Sequence, residues 1–77
     1  MKAVRHLHSW QPTHNPPTAD DVRQGRTFLV NKMGKAMEAV LLRPEDVKAL
    51  GVAKVDDLPI EADGHVTPGT IWFVVAE

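Results

Sequence analysis

From Lys2 to Trp10, Val4, His6, His8 and Trp10 alternate with Ala3, Arg5, Leu7 and Ser9, and neither set is cleanly apolar. Alternation puts successive side chains on opposite faces of a strand, and a strand with two mixed faces belongs at a sheet edge. Gln11 to Pro17 then gathers Pro12, Pro16 and Pro17 with Thr13, His14 and Asn15. Proline removes backbone donors and favours extended geometry, so 11–17 is expected to be a loop and the most mobile part of the chain.

Thr18 to Gly25 combines a cap residue, an acid three positions later and a closing glycine, which predicts a single short helical turn. A strand follows over Arg26 to Lys32, with Phe28 and Val30 on one face and Thr27, Leu29 and Asn31 on the other. Ala36 to Leu42 is open to two readings. Met33, Met37, Val40 and Leu41 recur at helical spacing. In the strand reading, Lys32 to Lys35 is a tight turn that folds 36–42 back on 27–32 as a hairpin. We prefer the hairpin: Gly34 would cost a helix interior about 1 kcal/mol relative to alanine, and Pro44 forces Arg43 out of helical geometry.

Pro44 suits a first helical position, Glu45 and Asp46 complement the positive helix end, and Gly51 supplies a stop, which predicts a two-turn helix with Val47 and Leu50 inward. Leu58 to Ala62 reads as a short strand that Pro59 marks as an edge. Asp63-Gly64 reads as a hairpin turn with His65 and Val66 returning. Thr70 to Ala76 is apolar on both faces, as expected of a buried central strand with Trp72 in the core. The sum is an α+β fold: one small domain spanning 1–77. It has a strongly curved, mostly antiparallel sheet of about five strands, with a tendency toward a barrel. One two-turn helix and one short helical turn pack on it.

Seventy-seven residues leave little room for a catalytic cleft, and a domain of this size is expected to be stable by about 5 kcal/mol or less. There is no cysteine, hence no disulfide, thiolate ligand or thiol nucleophile. The apolar runs are far shorter than the roughly 20 residues that span a bilayer, and a cytoplasmic protein with no membrane contact is expected. The net charge of −1 conceals an uneven distribution. Residues 1–43 carry seven cations against three acids, and residues 44–77 carry two against seven. Such halves either orient a charged partner or interleave on folding and simply keep the chain in solution.

His6 and His8 share a strand face and with a third ligand could hold zinc, but no carboxylate or thiolate stands near them in sequence, and no metal or other cofactor is expected. Ser9 faces away from His8, and the acid pairs Asp20-Asp21, Glu45-Asp46 and Asp56-Asp57 are explained by helix starts and a turn, so no enzyme is expected. Arg5, Arg23, Arg26, Lys32 and Lys35, with His14 and Trp10, are the candidate partner-binding residues. Trp10 is either the lid of a small core or an exposed anchor.

Phe28 to Lys35 followed by Ala39 to Leu50 looks like the hairpin-plus-helix element of Phd/YefM-type antitoxins, which implies a DNA-binding dimer that neutralises a toxin. Leu42 to Val52 is similar to the central element of AbrB/MazE-type swapped-hairpin regulators. His14 to Pro17 stands where the first family has a longer N-terminal helix, and Asp56-Asp57 stands where the second has Gly-Asp, so neither function is carried over. The expected function is that of a small non-enzymatic regulator or adaptor of phage or mobile-element type, acting on a larger host or assembly protein. The alternative is a nucleic-acid-binding regulator using the basic half; a histidine metal site ranks below both, and a homodimer through an edge strand is compatible with either of the first two.

Overall fold

Thr18 opens the first helix with a reciprocal pair of bonds: its side chain accepts from the Asp21 amide, and the Asp21 carboxylate accepts from the Thr18 amide. The computed structural model describes residues 6–76; Arg5, and the part of the first predicted strand before His6, lie outside them. In chain order the elements are β1 (His6–Trp10), α1 (Ala19–Met33), β2 (Met37–Leu42), α2 (Pro44–Leu50), β3 (Lys54–Val55), β4 (Leu58–Ala62) and β5 (Ile71–Val75).

The predicted short turn and the strand after it are one 15-residue helix, α1. Gly25 does not stop it. Val22, Gly25 and Leu29 are its buried inward positions, a helical stripe in which glycine occupies a contact site. Phe28, placed on a strand face by alternation, lies on the outside of the helix and is 53% exposed. Gly34 does have the expected positive φ, 68°, but as the left-handed cap of α1 and not as a hairpin turn. The hairpin of 27–32 with 36–42, and with it the antitoxin-like element, is therefore absent, although 37–42 is a strand as expected.

The sheet order is β1-β5-β2-β4-β3. β5 pairs antiparallel with β1 and with β2, β3 pairs antiparallel with β4, and β2 pairs parallel with β4. The α+β expectation of about five mostly antiparallel strands is met. Barrel closure is not: β1 and β3 are the two ends of an open sheet. β1 is the predicted edge, and β5 is the predicted doubly apolar interior strand. β4 is not an edge, because the two-residue β3 covers it and Lys54 stands opposite Pro59. The parallel β2–β4 pair follows from α2, which carries the chain back across one face; Pro44 begins it and Gly51 caps it as predicted. No strand returns after Asp63-Gly64. Residues 63–70 instead form a loop that lays Val66, fully buried, on the sheet.

Both helices pack on one face, where Val22 and Leu29 of α1 meet Met37, Val40, Leu42, Ile71, Phe73 and Val75, with Val47 and Leu50 at the margin. The opposite face carries a smaller cluster of Ala39, Leu41, Val66 and Val74, with Trp72 only partly buried against it. No helix among the described residues is long and apolar enough to cross a membrane.

Candidate functional site

Asp21 is the one charged side chain buried among the described residues. Its two oxygens accept from the Thr13 amide (2.9 Å) and hydroxyl (2.7 Å), the His14 ring Nδ1 (3.1 Å), and the Thr18 amide (3.0 Å) and hydroxyl (3.2 Å). Burial pushes this carboxyl up, but the bonds from Thr13, Thr18 and His14 outweigh it and hold the group well below the usual carboxylate range. The cluster ties the 11–17 loop to α1. Among the described residues, no buried side-chain nitrogen or oxygen lacks a partner.

The candidate cations fall in different places. Arg23 reaches Asp20 (2.9 Å) and Asp56 (3.2 Å), and Arg26 reaches Asp57 (2.6 Å), so two arginines of the basic half clasp the β3–β4 turn of the acidic half. Lys32 lies 5.8 Å from the Phe28 ring centre on the outside of α1. Lys35 shares with Arg23 and Arg26 an open groove of about 690 Å³ between α1, the start of β2 and Asp56. Trp10 is elsewhere, half-buried over Gly25 and packed on the helix-side core. His14 belongs to the Asp21 cluster. The structure thus brings together Arg23, Arg26 and Lys35 and leaves His14, Trp10 and Lys32 apart from them.

His6 and His8 do share a face, opposite Val75 and Phe73 in the register. Among the described residues no three His, Asp or Glu side chains gather as metal ligands.

Trp72, assigned to the core from its strand, lines a second concavity of about 400 Å³ on the helix-free face, with Leu7, Ser9, Thr67 and Thr70. Leu7 is 44% exposed. No charged residue lines this concavity. Register alone joins its two apolar residues: Leu7 stands opposite Val74 and Ser9 opposite Trp72, so the odd positions of β1 and the even positions of β5 share the outer face. The alternation of β5 was visible in the sequence, but which of its faces the helices cover was not.

Compared with family profiles, with curated proteins and with solved structures, the chain matches none.

Proposed function

We propose that this chain is a non-enzymatic binding module, a small regulator or adaptor, that holds a larger protein on the helix-free face of its sheet. The carrying observation is the uncharged concavity in which part-exposed Trp72 meets exposed Leu7 under the hydroxyls of Ser9, Thr67 and Thr70. Binding energy at protein interfaces concentrates where an aromatic side chain sits in such a depression and is ringed by groups that exclude water. Those three hydroxyls have no histidine or carboxylate beside them in the lining, which favours contact over nucleophilic chemistry. A nucleic-acid reading has less support: Arg23 and Arg26 are engaged by Asp20, Asp56 and Asp57, and Trp10 is not among them.

Affinity capture from the native host's lysate, with nuclease present, tests this directly. Wild-type chain is expected to retain one stoichiometric protein, and Leu7→Glu to lose it while its melting temperature stays the same, because exposed positions tolerate substitution within about 0.5 kcal/mol. Undiminished capture by Leu7→Glu, or recovery only when nuclease is omitted, would sink the idea.

A further inference from the structure

We propose that the open edge of the sheet at β1 is a self-association site, where β1 of a second copy of this chain adds as an antiparallel strand about a two-fold axis through His8. The contact lies in the plane of the sheet, beside the helix-free face and not on it, and does not depend on that face holding a partner.

Register and alternation identify the free backbone groups. Successive residues of a strand direct their amides and carbonyls to opposite sides. The Ala76 amide bonds the Ala36 carbonyl on the β2 side, so the even positions of β5 turn toward β2, and Ile71, Phe73 and Val75 turn toward β1. The Leu42 carbonyl accepts from the Asp63 amide on the β4 side, so Leu41 and Ala39 turn toward β5. They stand opposite Trp72 and Val74, and the two routes agree. On β1 the ladder bonds therefore belong to His6, His8 and Trp10, opposite Val75, Phe73 and Ile71. The amides and carbonyls of Leu7 and Ser9 point out of the edge. Among the described residues their one polar contact is with the His8 ring, whose Nδ1 lies 3.3 Å from the Ser9 carbonyl oxygen.

The two ends of the sheet are built differently. Edge strands are ordinarily guarded against pairing by shortness, by lysine or proline, or by a local distortion. β3 has two residues, begins with Lys54 and runs into Asp56, whose φ is 56°. β1 has five residues, none of them proline, lysine, arginine or an acid, in unbroken register with β5. Such a row of main-chain donors and acceptors accepts another strand.

A second copy fits by symmetry and by charge. Leu7 and Ser9 flank His8, so reversing the strand about His8 sets each outward residue against an outward residue of the other copy and pairs all five positions. A one-residue slip would oppose outward groups to inward ones, and a two-residue slip would leave two positions of each β1 unmatched. In the favoured register His8 faces His8, His6 faces Trp10 and Leu7 faces Ser9, so no lysine, arginine or carboxylate meets its like. A net charge of −1 adds little repulsion at a distance. Leu7, 44% exposed, gains cover. Five paired residues make a small interface, below about 1,200 Å² in all, so the dimer is weak, with a Kd on the order of 10 μM or above.

Sedimentation of the purified whole chain from about 20 μM to about 1 mM, with no other protein present, tests this. The mean mass is expected to rise toward that of two chains, and exchange of the Leu7 and Ser9 amides to slow with concentration. In a mixture of labelled and unlabelled chain, an NOE should join the His8 α-protons of the two copies, because pairs between ladder bonds bring α-carbons closest. Ser9→Pro removes only an outward amide, which an edge strand tolerates, and should weaken association about tenfold or more while the melting temperature holds. Should that variant not fold, Leu7→Lys, a guard charge at an exposed position, supplies the same test. A monomer throughout the range, undiminished association of a folded variant, or a dimer lacking the His8 contact would each overturn the proposal. Failure of lysate capture bears on the sheet-face reading alone, since association is measured on the chain by itself.

Discussion

A Cβ at position 25 would stand 2.8 Å from one Phe73 ring carbon and 2.9 Å from another and from a Trp10 ring carbon. Those separations are shorter than any relaxed carbon contact, and both rings belong to the packed interior. Glycine lets α1 approach the sheet there, and the closeness of that approach makes Trp10 a lid. Gly25→Ala should gain about 1 kcal/mol in helix propensity yet lose more to overpacking, for a net destabilisation of about 1–2 kcal/mol in urea unfolding. A stabilised variant would show that the rings move aside freely. The same residue hides α1 in the sequence. A glycine after a capped turn looks like a terminator, and Thr27-Phe28-Leu29-Val30 is rich in strand formers. The helical period is visible only with Gly25 as a core position.

Elements with complete local punctuation were legible. α2 carries its proline start and glycine cap within a few residues, and β5 carries its apolar alternation within five. What escaped was pairing between distant segments: the parallel β2–β4 ladder, the two-residue β3 and the loop that seats Val66. The candidate site was legible to the same extent. Arg23, Arg26 and Lys35 were singled out as cations, but their convergence depends on α1 being a helix. That two arginines of α1 clasp the β3–β4 turn has a consequence at this scale. Replacing Arg23 and Arg26 together by Gln should speed amide exchange over residues 54–58 and leave 71–75 unchanged, and high salt should partly mimic it in the wild type. Unchanged protection at 54–58 would show that packing of Val55 and Leu58 alone holds the hairpin.

At the scale of the molecule, Arg23 and Arg26 of the basic half pair with Asp56 and Asp57 of the acidic half, and held carboxylates shape the response to acid. Asp21 is held down by Thr13, Thr18 and His14 against the pull of burial, Asp57 chiefly by its bond to Arg26, and Glu45 chiefly by its bond to Arg43. Each folded-state value lies below the unfolded one, so the stability these groups contribute is fully present above about pH 4 and is lost as pH falls further. Unfolding free energy should therefore stay level near neutrality and drop below about pH 4. Asp21→Asn should cost about 2–3 kcal/mol at pH 7, because an amide cannot accept all the donors gathered there, and should flatten the acid slope. An acid slope unchanged by the substitution would assign the effect to the exposed pairs.

The strand order also bears on how the chain is made. β5 lies between β1 and β2 and is the last of the five strands in the sequence. During synthesis from the N-terminus, β1 therefore has no neighbour in the sheet, and the wall that Phe73 gives to α1 is missing, until nearly all of the described chain has been produced. β2, α2 and β4 can meet earlier as a parallel unit against which Val22 and Leu29 can begin to pack, but the nascent chain must carry Trp10 and the side of α1 that meets Phe73 uncovered until Ile71–Val75 arrives. Closing the interior is thus a late, long-range event, the kind of topology that folds slowly for its size and depends on keeping those apolar groups from other chains in the meantime.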